Sequence, residues 1–286
     1  MQRSAHVGGR FIDAGNATLA AVVWTPPPGI PVRFAILHVP AAFEEMNKAR
    51  RMVALQARAF ASVGGCVVVY DPAGTGDSTG ESGDATFAQW RSDALAMWSF
   101  MRGEFPVPAA LWGLRLGALL AASLAEDGAL EASALLLWQP VGSGRTFFNQ
   151  FLRLAATAEI AGRAGPAPGA ASVRQQLEAG AVVDVAGYGV HPELVTGASA
   201  LSLDSIAPPQ CAVVWRESTA TAPAEVPSVA VKTAQRWSDG GARVDVRAVT
   251  GPSFWATAEI EESPALIAAT SEAVTRELAS TRAAAQ

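Results

Sequence analysis

Seven short apolar runs, Leu19–Trp24, Phe34–Val39, Cys66–Tyr70, Ala109–Trp112, Ala134–Trp138, Ala212–Trp215 and Val244–Val249, are spaced along the chain with amphipathic stretches between several of them. Runs of this length read as buried strands, and the intervening stretches Asn47–Ser62, Phe87–Met101, Leu116–Ala125 and Pro264–Leu278 are long enough to be crossover helices. Strand–helix alternation of this kind predicts an α/β fold with a mostly parallel central sheet and helices on both faces. From Pro140 to Pro209 the alternation fails. Gly, Pro and Ala break up weak helical pieces such as Phe147–Ile160 and Ala171–Glu178, and Ala161–Ser172 reads as a flexible stretch. The expectation is one domain over residues 1–286, with residues 140–209 inserted as a lid over the carboxyl edge of the sheet.

Half of the 286 residues are hydrophobic, which supports a sizeable core and excludes disorder as the main description. With 16% charged residues and a formal net charge of −5, the chain offers no electrostatic footprint for nucleic acid. Cys66 and Cys211 lie far apart in apolar runs, so neither a disulfide framework nor a cysteine metal site is expected; Cys66 reads as a buried strand residue. His6, His38 and His191 lack ligand-type spacing, and no metal or cofactor is expected. The first ten residues do not read as a signal peptide, and Arg115, Glu126, Asp127 and Glu131 interrupt the most apolar region, Ala109–Trp138, before it reaches the ~20 residues of a membrane span. A cytoplasmic location is expected.

In open α/β sheets the chemistry gathers where strands end and helices begin. Three such points stand out. Asp71 leaves a strand into Gly74-x-Gly76-Asp77-Ser78, which has neither dinucleotide spacing nor a following Gly-Lys-Ser/Thr. Gly113-Leu114-Arg115-Leu116-Gly117 runs from a buried strand into an apolar helix, with glycines on both sides of a central residue as a tight strand-to-helix elbow requires. In a serine hydrolase that central residue is Ser; here it is Arg115. Gly251-Pro252-Ser253-Phe254-Trp255 follows the last strand, and no histidine lies beyond His191.

These features together resemble the α/β-hydrolase superfamily, and the likeness covers most of the chain. Glu44-Glu45-Met46-Asn47-Lys48-x-Arg50-Arg51-Met52, Gly113-Leu114-Arg115-x-Gly117 and Gly251-Pro252-x-Phe254-Trp255 more closely resemble the second type of exosortase A system-associated hydrolase, a family linked to bacterial exopolysaccharide and protein-sorting genes. The resemblance implies an α/β-hydrolase fold and an esterase-like site, but the triad does not carry over. Arg115 stands at the nucleophile position, where a permanently protonated guanidinium cannot attack a carbonyl. Glu217 stands near the acid position and Pro252 or Ser253 at that of the histidine. If His38-Val39-Pro40 aligns with the oxyanion turn, Pro40 removes one N–H donor.

A cation at a helix amino end is unfavourable and needs an anion. Glu44, Glu45, Asp71 and Glu217 are internal candidates; a ligand carboxylate, sulfate or phosphate is the external one. The sequence leaves open a salt-bridge network that closes an empty pocket and a substrate site built from Arg115, Glu44, Glu45, Asp71 and Trp255. It also leaves open a relocated catalytic apparatus, with His38 and Glu44 or Glu45 activating a water, or Ser143 or Ser253 as a displaced nucleophile, with His38, Glu45 and Glu217 as the catalytic candidates, and a non-catalytic interaction protein. The expected ligand is a small molecule, glycan or acyl compound, and the expected protein partners are those of the same pathway. Bland readings stand beside these: Glu44, Glu45 or Asn47 as helix caps, Arg50 and Arg51 as solvated charges, His38 as a hydrogen-bonded core residue, and Phe254 and Trp255 as core aromatics.

Overall fold

The computed structural model describes residues 4–126, 130–153 and 170–284. Its strands are β1 (His6–Asp13), β2 (Thr18–Thr25), β3 (Phe34–Val39), β4 (Gly65–Tyr70), β5 (Ala109–Leu114), β6 (Ala134–Trp138), β7 (Val183–Val185), β8 (Tyr188–Val190), β9 (Ala212–Thr219) and β10 (Val244–Thr250). The helices are α1 (Phe43–Ser62), α2 (Phe87–Glu104), α3 (Leu116–Glu126), α4 (Gly144–Phe151), α5 (Ala170–Glu178), α6 (Pro192–Ser199), α7 (Ser228–Asp239) and α8 (Pro264–Ala284).

Eight strands form one sheet in the order β1-β2-β4-β3-β5-β6-β9-β10. The strands from β4 to β10 are parallel, while β2 runs antiparallel to both β1 and β4. The central strands are apolar throughout because both of their faces are covered: every residue of β3, β5 and β6 is buried. Side chains alternate between two cores. One, with Ile36, Val67, Trp112 and Trp138, meets α1 and α8 through Phe60, Leu266 and Val274. The other, with Leu37, Val68 and Leu111, meets α2, α3 and α4 through Met97, Leu119 and Phe148. Helix α3 is apolar on every side because it is buried along almost its whole length.

Several expectations need adjustment. Helix α1 begins at Phe43, not near Asn47, so Glu44 and Glu45 lie in its first turn and Asn47 does not cap it. The Asn47 amide instead donates to Tyr188 Oη at 3.0 Å. Strand β9 continues past Trp215, which places Glu217 inside the strand and buried. The helical piece expected at Phe147–Ile160 is described as far as residue 153, and 154–160 lie outside the described residues, as do 161–169 of the stretch read as flexible and Asp127.

The connection from β6 to β9 carries α4, α5, the β7–β8 hairpin and α6. The hairpin turns through Ala186 and Gly187, both at positive φ, the geometry of a two-residue primed turn. Tyr188 of this hairpin and Phe147 and Phe151 of α4 pack against Phe43, so the connection closes over the start of α1. Among the described residues no helix is long and apolar enough to cross a membrane.

A tight point of the frame is Gly117, where a Cβ would overlap the carbonyl oxygens of Val39 and Pro40 in the β3–α1 turn. Neither neighbour is a flexible side chain, so Gly117→Ala is expected to cost about 3 kcal/mol or more. Urea unfolding measures it; a change below about 0.5 kcal/mol would mean that the elbow and the β3–α1 turn do not touch.

Candidate functional site

The buried strand β5 delivers the chain to Arg115, which adopts the left-handed backbone region at φ 56° before α3 begins. A side chain in that region costs roughly 1–2 kcal/mol relative to a helical residue, and the surroundings hold it there. The Arg115 amide donates to Trp138 O at 3.1 Å, and its carbonyl accepts from Ala118 and Leu119. This is the geometry of a strand-to-helix elbow, and it presents the residue-115 side chain above the carboxyl ends of β5 and β6.

The guanidinium is met by three groups. Nε donates to Glu45 Oε1 at 3.0 Å, Nη1 donates to Gln139 O at 3.3 Å, and Cζ lies 5.3 Å from the centre of the Trp255 ring. Both partners of the ion pair are about one-fifth exposed, so the pair sits at the lip of the pocket. Burial pushes the Glu45 carboxyl above its ordinary range, and the Arg115 charge pulls it back. Its second oxygen, Oε2, is buried without a hydrogen-bond partner among the described residues.

Glu217 lies at the same edge, on β9. Its Oε1 accepts from Trp215 Nε1 at 2.7 Å. Burial pushes its carboxyl up to about 7, against the opposing effects of the Trp215 and Gln139 hydrogen bonds and the Arg115 charge. Gln139, itself at φ 44°, ties the strand ends together: its side-chain oxygen accepts from the Ser218 amide at 2.6 Å while its carbonyl serves Arg115. Sequence reading passed over Gln139, although its place directly after a buried strand was a usable signal.

The structure separates the remaining candidates. Glu44 accepts from Tyr188 Oη at 2.8 Å and faces Lys48 at 3.7 Å, so it belongs to the wall of the site but does not reach Arg115. Asp71, expected as a partner for Arg115, pairs instead with Arg50 at 3.0 Å and accepts from the Asp77 amide. Arg50 is therefore engaged, and Arg51 pairs with Glu262. The His38 ring hydrogen-bonds through Nδ1 to Trp112 O at 3.1 Å, and burial lowers its pKa to about 3, so it is a neutral core imidazole across the working pH range. Ser143 caps α4, its hydroxyl accepting from the Thr146 amide and donating to Thr146 Oγ1. Phe254 is core, fully buried against Trp138 and Trp255. Cys66 is buried in β4, with its thiol pushed up to about 12 by desolvation.

Beside the ion pair lies a groove of about 320 Å³, walled by Phe43, Phe147, Phe151 and Trp255 and edged by Glu45 and Lys48. Phe43 and Phe151 stack at 4.3 Å. The aromatic spacing of Phe147 and Phe151, one helical turn apart, was legible; their meeting with Phe43 across more than a hundred residues was not. Among the described residues no cluster of three or more His, Cys, Asp or Glu side chains is placed to hold a metal ion.

No protein-family model matches this sequence, and no curated protein matches it. Comparison of structures does find relatives in shape. Est1E from Butyrivibrio proteoclasticus with ferulic acid bound superposes with a TM-score of 0.67 at 16% identity, over 94% of this chain and 99% of that one. One of two fungal esterases from Rhizomucor miehei gives 0.61 at 11% identity, over 100% of this chain and 87% of that one. Mouse alpha/beta hydrolase domain-containing protein 10 gives 0.57 at 16%, over 96% and 99%. The chain has the α/β-hydrolase fold.

Native Glu217 keeps its proton to higher pH than the unfolded chain does, so its contribution to stability is fully present below about pH 4.5 and is lost as pH rises through about 7. Glu217→Gln is therefore expected to gain stability relative to the wild type across that interval, by roughly 3 kcal/mol at pH 8 compared with pH 4. Chemical denaturation at a series of pH values measures it; a difference that does not vary with pH would place Glu217 in an ordinary carboxylate environment.

Proposed function

We propose that this α/β-hydrolase-fold chain lacks Ser–His chemistry and binds or processes an anionic glycan or acyl intermediate at the Arg115 edge, in exosortase-linked exopolysaccharide or envelope assembly. The observation that carries the ligand reading is the aromatic groove ending beside an ion pair that is about one-fifth exposed. Phe43, Phe147, Phe151 and Trp255 offer flat apolar walls suited to a sugar ring or an acyl chain. The three sequence motifs that resemble the exosortase-associated hydrolases support the pathway. Est1E, similar in fold, holds ferulic acid, an aromatic carboxylate, which supports an anionic ligand with an apolar body.

The chemistry of capture follows from the ion pair. An incoming anion competes with Glu45 for Arg115. Once displaced, Glu45 is a desolvated carboxylate without its counter-charge, and taking up a proton relieves that cost. The guanidinium thus passes from an internal carboxylate to an external anion without leaving a buried charge unpaired. Residues 140–209 serve in this reading as a lid, with α4 providing one wall of the groove.

A fluorophosphonate probe is expected to leave no adduct on the wild-type chain. Glucuronate oligosaccharides and acyl phosphates are the ligands to screen by thermal shift; one at a hundred times its Kd adds about 2.7 kcal/mol. Arg115→Ala and Trp255→Ala are expected to lose that gain while staying folded. A covalent adduct, or ester turnover abolished by His38→Ala or Ser253→Ala, would instead establish a relocated hydrolase apparatus. An unchanged ligand response in Arg115→Ala would remove Arg115 from the site.

A further inference from the structure

Three residues that the sequence singled out, His38, Arg50 and Asp71, take no part in the Arg115 site, yet they converge on one place. A second cavity, of about 190 Å³, lies against a different face of α1 and shares no lining residue with the aromatic groove. Its walls are Trp24, Met46, Val53, Val69 and Leu114, from β2, α1, β4 and the end of β5. The Arg50–Asp71 ion pair stands at its rim, with Arg50 about half exposed.

The polar feature within is His38. It is 2% exposed and lines the cavity, and its Nδ1 proton is committed to Trp112 O. The other ring nitrogen, Nε2, is then a lone-pair acceptor, and no hydrogen bond from the described residues reaches it. An acceptor on a nearly buried residue, with no protein donor and in a cavity lined mostly by apolar side chains, is free to accept from a bound molecule.

We propose that this cavity is a second ligand site, and that it takes a small neutral molecule with an apolar body and one hydroxyl donor, a phenol or short alcohol, whose O–H donates to His38 Nε2. The volume equals roughly six waters of liquid, enough for a single ring. Charge at the rim selects against ions of either sign: Arg50 is already satisfied by Asp71 and Asp71 by Arg50, so neither offers an unmatched charge. Water entering the cavity finds one deep acceptor and apolar walls, so an apolar body displaces it at little loss. The assignment does not rest on the Arg115 reading and survives if that fails.

The test uses the full chain with nitrogen-15 histidine labels, titrated with phenol and, separately, with fluorobenzene, which has similar size but no donor. Phenol is expected to shift the His38 Nε2 resonance and to bind at least tenfold more tightly than fluorobenzene. Val22, 40% exposed at the cavity mouth, can be enlarged without disturbing the core. Val22→Trp is expected to weaken phenol binding at least tenfold while the His38 signal of the free protein stays in place. Equal affinities for the two probes, an unmoved His38 Nε2 signal at millimolar phenol, or undiminished binding to Val22→Trp would each overturn the assignment.

Discussion

A guanidinium fixed at the amino end of a buried helix must be neutralised, and the organisation of the carboxyl edge follows from how that is done. The elbow leaves the Arg115 side chain little choice of direction, because its backbone is held at φ 56° between Gly113 and Gly117, whose neighbours leave no room for a Cβ. The positive end of the α3 dipole adds to the cost of its charge. One carboxylate, Glu45, comes from the first turn of α1; a second, Glu217, approaches from β9 at electrostatic range; the Gln139 carbonyl and the Trp255 face complete the surroundings. Each answers the same positive charge from a different element. The two acids, both raised by burial, are partly held down by the cation they face.

Helix α1 separates two kinds of recognition surface. Glu44, Glu45 and Lys48 edge the aromatic groove, while Met46, Ala49, Arg50 and Val53 face the smaller cavity. The motif around Glu44–Met52 is therefore not a single functional unit. Its residues divide between the two cavities at helical spacing, because successive residues on a helix are about 100° apart and those three or four apart share a face. Asp71 follows the same division, paired with Arg50 on the small-cavity side although it leaves the strand next to the one that carries His38.

The central fold was legible because the parallel strands are buried on both faces and read as unbroken apolar runs. The outer strand β1 was missed because its sequence, His6-Val7-Gly8-Gly9-Arg10-Phe11-Ile12-Asp13, carries two glycines and is largely exposed. Helix α7 was missed although its buried Ala230, Thr233, Ala234 and Trp237 keep helical spacing; only one face is apolar and the flanking loops mask it. At the site, the elbow and the need of Arg115 for an acid were readable from Gly113-Leu114-Arg115-Leu116-Gly117. Which acid answers was not, because that depends on where α1 begins. A start at Phe43, not Asn47, turns Glu45 toward the elbow and leaves Glu44 to Tyr188 and Lys48. A boundary shift of four residues is ordinary for helix ends read from sequence, and here it decides the electrostatics.

The most direct measurement is a carbon-13 carboxyl titration of Glu45 and Glu217 in the wild-type chain and in Arg115→Gln. If Arg115 is the shared counter-charge of the edge, both carboxyl groups titrate at higher pH once it is neutral, with Glu45, which also loses its hydrogen bond, moving further. If neither resonance moves, Arg115 does not hold the two acids, and the organisation of the carboxyl edge around it is contradicted.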